Sequence, residues 1–202
     1  TEEAMNEVLT HELTHFMKYP GSVLNLLRLQ KVAQGLTDGH KTSELRAAFT
    51  EAQTNLYMTQ EVQHPATAKM RKSYGLQEGD SAGRLMYGLY QEVSGQDFGV
   101  ELKKLSKQEK GLVDKLKDID FLDKKQETHN FRKFVQVMKD YQPQQQNQDG
   151  KEEGQGQGSG QGEGRNSNDP CSRSGNGFDG FTDNQIREGL KQFAQECSTP
   201  EE

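Results

Sequence analysis

Tryptophan is absent from this 202-residue sequence, cysteine occurs only twice, and no apolar run approaches the 18 or so residues of a membrane-spanning helix. Two cysteines, Cys171 and Cys197, are too few for a disulfide scaffold or a multi-cysteine metal knuckle. We therefore expect free thiols in a reducing, cytoplasmic setting. The missing apolar run predicts that the protein does not cross a membrane.

An excess of positive charge is also lacking. The chain has 25 Lys and Arg against 31 Asp and Glu, a formal net charge of -6 and a pI near 5.5. This balance provides no electrostatic footprint for nucleic acid or for an anionic membrane. Basic residues do recur at Lys69-Met70-Arg71-Lys72, and we interpret that run as a solvated helix face.

The shortage of apolar residues is local. Hydrophobic residues make up 30% of the chain, and large ones are absent between Gln142 and Gly177, where Gln, Gly and Ser dominate. Such a stretch cannot bury enough apolar area to offset the entropy lost on ordering. The sequence predicts a compact domain over 1–141, a disordered linker over 142–177, and a C-terminal amphipathic helix with its tail over 178–202.

Hydrophobic periodicity predicts a mainly α protein, since no segment alternates like a β-strand. The first helix, over about 2–18, is apolar on much of its circumference and is expected to be buried. Further helices are expected over about 22–34, 43–62, 65 onwards, 81–93, 106 onwards and 124–141. Capping boxes at Ser106-Lys107-Gln108-Glu109 and Thr182-Asp183-Asn184-Gln185 predict two helix starts. The last helix could dock on the domain, meet a partner protein, or begin a further domain.

The strongest chemical signal is His11-Glu12-Leu13-Thr14-His15. On a helix, His11 and His15 share one face and can reach one metal ion, while Glu12 lies beside the ion. This arrangement is typical of catalytic zinc sites, where the carboxylate takes a proton from the water that zinc activates. The pattern also arises by chance, in about one such chain in a hundred.

Two histidines need a third protein ligand. The extended motif with a third histidine six residues after His15 is absent, because Lys18 and Gly21 occupy its later positions. We choose Glu51, 36 positions after His15, with Asn55 one helical turn later as its hydrogen-bond support. Other candidates stay open at this stage, namely Asp38, His40, Glu44, Asn55, Glu61, His64 and His129.

The segment Phe49-Thr50-Glu51-Ala52-Gln53-Thr54-Asn55 resembles the second motif of predicted bacterial and archaeal metallopeptidases that occur beside von Willebrand A-like domains. The resemblance covers roughly residues 1–63. It implies a zincin-type, gluzincin-like fold with Glu51 as the third zinc ligand, and a von Willebrand A-like partner domain near or beyond residue 178. Zincins carry a β-sheet before the motif helix. That sheet would lie upstream of Thr1, or the fold would be a reduced helical version.

The leading hypothesis is a zinc-dependent peptidase in which Glu12 is the general base and a peptide or protein is the substrate. An oxyanion donor is also required, and no motif marks one among His64, Tyr57, Tyr74, Tyr87 and His129. The alternative is a non-catalytic, metal-stabilised interaction module. A third reading, a structural helical domain with a coincidental motif, would bury two imidazoles and a carboxylate at high cost.

Overall fold

A computed structural model describes residues 2–37, 42–64, 67–74, 81–139, 141 and 181–198 of the chain. Regular structure in these ranges is helical throughout, which confirms the mainly α prediction. The described ranges contain eight α-helices, namely α1 (Glu2–Met17), α2 (Val23–Leu36), α3 (Thr42–Gln60), α4 (Thr67–Tyr74), α5 (Ser81–Ser94), α6 (Lys107–Lys117), α7 (Glu127–Lys139) and α8 (Asp183–Ser198). Short 3-10 turns precede α6 and α7, at Leu102–Lys104 and Lys124–Gln126.

Local side-chain caps fix several helix starts. The Ser106 hydroxyl accepts from the Glu109 N–H at 3.1 Å, and the Glu109 carboxylate accepts from the Ser106 N–H at 2.8 Å. Thr182 and Gln185 make the same reciprocal pair before α8, at 3.3 and 2.8 Å. Each pair satisfies two backbone donors that a helix start leaves free. Both predicted capping boxes are therefore confirmed.

Helix α3 is central, because α1, α2, α4, α5 and α7 all pack against it. Its Phe49 is fully buried and contacts three aromatic rings, with centroid distances of 5.4 Å to Phe121, 5.0 Å to Phe131 and 5.5 Å to Phe134. Such a cluster combines large buried area with favourable ring geometry. The core thus fixes one face of α3, and the opposite face is left for α1.

The expectation that α1 is buried on most sides is wrong. Its large apolar residues are exposed, with Met5 at 68%, Leu9 at 57%, Leu13 at 55%, Phe16 at 46% and Met17 at 71%. The buried residues of α1 are Glu7, His11 and Thr14. At 3.6 residues per turn these lie on one face, opposite the apolar stripe. The helix therefore meets α3 through its polar face.

Helix α8 docks on α2, the first of the three outcomes left open for the C-terminal helix. Gly189 is buried there, and a Cβ atom on it would lie 2.6 Å from Val23 Cβ. The Arg28 guanidinium also donates to the Glu196 carboxylate, at 3.0 Å from Nε. The absence of a side chain at position 189 thus permits the close approach of the two helices.

Several predictions concern parts of the chain outside the described residues. These are the disordered linker over 142–177, Cys171, the candidate ligands Asp38 and His40, and a helix start at Pro65. The described helices include none with the length and apolar character needed to span a membrane.

Replacing Gly189 with alanine should release α8 from α2, because the added Cβ would overlap Val23. An undocked 16-residue helix is only marginally stable. We expect amide exchange in Asp183–Ser198 to accelerate on the order of 10-fold, measured by hydrogen-exchange mass spectrometry. The control is Gly111→Ala in α6, where the added carbon would have no atom within 4 Å apart from the adjacent residues and the backbone of its own helix. The control should raise the free energy of unfolding by about 0.5–1 kcal/mol and leave exchange in α8 unchanged.

Candidate metal centre

The polar face of α1 brings both motif histidines against Glu51 of α3. His15 Nε2 lies 3.0 Å from Glu51 Oε2 and 3.1 Å from His11 Nε2, and His11 Nε2 lies 3.3 Å from the same oxygen. The three ligand-type atoms therefore form a nearly equilateral triangle. The His11 side chain is fully buried, whereas 23% of His15 and 27% of Glu51 remain exposed. The group is thus open on the side of His15 and Glu51.

The size of this triangle suits one metal ion. Zinc binds imidazole nitrogen and carboxylate oxygen at about 2.0–2.2 Å, so ligand atoms of a tetrahedral site lie about 3.3–3.5 Å apart. The observed separations of 3.0 to 3.3 Å are equal to or slightly shorter than that spacing. The two histidines and one carboxylate also match a common catalytic zinc ligand set. The three side chains could hold an ion with little movement.

The second ring nitrogen of His15 is oriented by the chain that follows α1. Nδ1 lies 3.0 Å from the Tyr19 carbonyl oxygen and 3.1 Å from the Thr54 hydroxyl. A carbonyl can only accept, so Nδ1 carries a hydrogen, and Nε2 faces Glu51 either as the donor of a protonated ring or with the lone pair of a neutral one. Gly21 ends this turn with φ of +68°, where a Cβ would lie 2.9 Å from the Lys18 carbonyl oxygen.

Asn55 supports Glu51 as the sequence predicts. Its amide Nδ2 donates to Glu51 Oε1 at 2.8 Å and to the Glu51 backbone carbonyl at 3.0 Å. One carboxylate oxygen is therefore occupied by Asn55, while the other faces the two histidines. Asn55 thus hydrogen-bonds to the Glu51 carboxylate, and Glu51 is the acid that lies with the two histidines.

Arg71 of α4 completes the centre, although the sequence interpretation placed it on a solvated face. Only 3% of its side chain is exposed. Its Nε donates to Asn55 Oδ1 at 3.2 Å, and its Nη2 lies 3.5 Å from Glu51 Oε1. The error has a physical source: Lys69 and Lys72 are exposed, but the helical turn directs Met70 and Arg71 inwards. Ala68, three residues before Arg71, is apolar and shares its helix face, which is a weak sequence signal that this face is buried.

The guanidinium approaches His11 through the ring face. Nη2 of Arg71 is 3.0 Å from Nδ1 and 3.1 Å from Nε2 of that imidazole. The two lone pairs of an imidazole point away from each other, so a donor aligned with one would be much farther from the other nitrogen. Stacking is a common arrangement for arginine on planar rings. It leaves Nε2 of His11 directed towards His15 and Glu51.

The charged groups around the triangle shift one another's pKa values. Burial would raise the pKa of the Glu51 carboxyl, but His11, His15 and Arg71 together outweigh burial and hold that pKa well below its usual range. Burial would likewise lower the pKa of His15, yet the hydrogen bond and charge of Glu51 raise it. Behind Asn55, burial raises the pKa of the Tyr90 hydroxyl well above its ordinary value, and the Glu51 charge adds to this. The lowered pKa keeps Glu51 a carboxylate at neutral pH.

The remaining predicted residues have different positions. Glu12 is exposed, and its charge contributes to the raised pKa of His15, so it lies on the open side of the group. Glu44, Glu61 and His129 are exposed, His64 is buried, and none of these four belongs to the ligand group. Tyr57 packs on Tyr19, and Tyr87 packs on Phe98. No oxyanion donor is assigned among them.

Comparison of the chain with protein-family models, with curated proteins and with solved structures finds no match in any of the three. The zincin-type resemblance therefore stays a prediction that rests on the two motifs.

In metal-free protein, Glu51→Gln should lower the free energy of unfolding at pH 7 by about 2–4 kcal/mol, because it removes a carboxylate from buried Arg71. The pKa of Glu51 is lowered by folding, so its contribution is present above the unfolded value near 4.5 and is lost as the pH falls below it. Urea unfolding with a chelator should show the difference from wild type shrinking between pH 6 and pH 3. Glu44 is exposed on the same helix, and the free energy of unfolding of Glu44→Gln should stay within about 0.5 kcal/mol of wild type at both pH 6 and pH 3.

Proposed function

We propose that this protein is a zinc-dependent metallopeptidase acting on a peptide or protein substrate. The observation that carries the proposal is the triangle of His11 Nε2, His15 Nε2 and Glu51 Oε2, with edges of 3.0 to 3.3 Å. It joins a two-histidine motif to an acid 36 residues away, at the spacing that one ion requires. The motif alone specifies only half of this arrangement.

Each residue of the site has a distinct role under this proposal. Zinc, when bound, would activate water and polarise a substrate carbonyl. His11, His15 and Glu51 would hold the ion, and Glu12 would accept the water proton and pass it to the departing amine. Glu12 is suited to this task because it is exposed next to His15, on the side that a substrate could reach.

A purely structural explanation accounts less well for the same residues. The imidazole of His11 is fully buried, and one oxygen of buried Glu7, one helical turn earlier, has no hydrogen-bond partner. Burying polar groups of this kind lowers the free energy of unfolding unless hydrogen bonds, charges or a bound ion compensate. Leucine at position 11 would fill the space without that cost. A functional role for this face of α1 explains why polar residues occupy it.

The protein purified without chelator should contain about one zinc per chain, measured by inductively coupled plasma mass spectrometry. His11→Ala and His15→Ala should lose the metal, because each removes one of three ligands. Glu12→Gln should retain the metal and lose hydrolysis of a mixed peptide library by at least about 100-fold, since it removes only the base.

The matched control is Glu2→Gln, which neutralises an exposed acid in the first turn of the same helix. It should change neither zinc content nor hydrolysis. Zinc-free wild-type protein after reconstitution would contradict the metal centre. Metal-loaded wild type that cleaves no peptide faster than Glu12→Gln would contradict the peptidase assignment alone.

A second candidate function is a metal-stabilised interaction module, and the exposed face of α1 favours it. Five of the seven large hydrophobic residues exposed in the described part of the chain lie on this helix. Large apolar residues exposed side by side on one helix face are typical of contact surfaces. In a complementation assay, Leu9→Glu with Leu13→Glu would abolish this function and Glu12→Gln would leave it intact. The peptidase proposal expects loss of function with Glu12→Gln.

A further inference from the structure

Arg71 is a buried cation that contacts three residues of the metal centre without being able to bind the metal. Its guanidinium meets Asn55 at 3.2 Å, the His11 ring at 3.0 and 3.1 Å, and Glu51 Oε1 at 3.5 Å. A guanidinium has five N–H donors and no acceptor. Arg71 therefore acts on the site through its charge and through the side chains that it orients.

The orientation of Asn55 follows from this chemistry. The amide atom that faces Arg71 has to be an acceptor, so it is Oδ1, and Nδ2 points the other way. Nδ2 then donates to Glu51 Oε1 at 2.8 Å. Arg71 thus fixes one of the two orientations that the Asn55 amide can adopt. In that orientation, Nδ2 is placed to donate to the Glu51 carboxylate.

The two oxygens of Glu51 consequently have different surroundings. Oε1 accepts from Asn55 and lies within ion-pair distance of Arg71, whereas Oε2 lies 3.0 and 3.3 Å from the histidine nitrogens. We propose that Arg71 is a positioning residue that makes Glu51 a one-oxygen metal ligand, acting directly on Oε1 and through Asn55. This inference rests on the metal site of the proposed function.

A one-oxygen ligand matters for catalysis by zinc. Three protein atoms leave a position for water or substrate, whereas a carboxylate bound through both oxygens would take up part of that space. Supporting residues that hydrogen-bond a ligand typically change metal affinity 10- to 100-fold when removed. The contacts of Arg71 and Asn55 with Oε1 hold the Glu51 carboxylate in one orientation, with Oε2 towards the histidines.

The test uses Co²⁺ as a probe, because its visible absorption weakens as the coordination number rises. Wild type, Arg71→Met and Arg71→Lys are titrated with Co²⁺ and with zinc. Lys72→Met is the matched control, since Lys72 is the next residue, is exposed, and pairs with Asp97 away from the centre. Circular dichroism verifies the helical content of each variant.

We expect Arg71→Met to bind both ions on the order of 10- to 100-fold more weakly than wild type, with less intense Co²⁺ absorption as Glu51 binds through both oxygens. Arg71→Lys should show a smaller change in the same direction, because one ammonium cannot hold both Asn55 and Glu51 in place. That variant also serves as the test if Arg71→Met fails to fold. Lys72→Met should match wild type in both measurements.

Two results would overturn the role of Arg71 while leaving the proposed function standing. One is that the metal affinity and the Co²⁺ absorption of Arg71→Met lie within about twofold of those of Lys72→Met. The other is weaker binding with unchanged absorption, since Arg71 would then affect affinity without changing how Glu51 binds. Failure of wild type to bind either ion is a different result, and it would overturn the metal centre together with this inference.

Discussion

The attachment of α1 depends on a buried polar contact, in which the Glu51 carboxylate is shared by His11, His15 and Arg71. This contact is unusual for a packed helix because the buried residues of α1 are Glu7, His11 and Thr14, while its large apolar residues face outwards. The helix therefore gains little from apolar burial against α3. Its position relies on the hydrogen bonds and charges that Glu51 brings together.

This dependence connects metal binding to folding. An ion held by residues of α1 and α3 would join the two helices directly, and the free energy of binding would add to the stability of their contact. The pKa of His15 has a related consequence: burial alone would lower it, but the hydrogen bond and charge of Glu51 raise it, so a proton on His15 would compete with a metal for the same nitrogen.

The fold was largely predictable from periodicity and local chemistry. Both capping boxes, the helical class and the pairing of Glu51 with Asn55 follow from short-range rules, since caps and i, i+4 contacts are decided within a few residues. The burial of α1 was not predictable in this way. Hydrophobicity predicted a helix that is apolar on much of its circumference and therefore buried, but which side faces the rest of the molecule is decided by the residues of α3.

Arg71 shows why the complete site could not be obtained from sequence. Its neighbours Lys69 and Lys72 are solvated, and a basic run has no internal mark that separates a buried guanidinium from exposed ammonium groups. The distinction comes from Asn55 and Glu51, which lie on another helix and provide an acceptor and a carboxylate where Arg71 enters. A buried charge is tolerated only where such partners exist. The contacts among Arg71, Asn55 and Glu51 therefore account both for the burial of Arg71 and for the orientation of Glu51 towards the histidines.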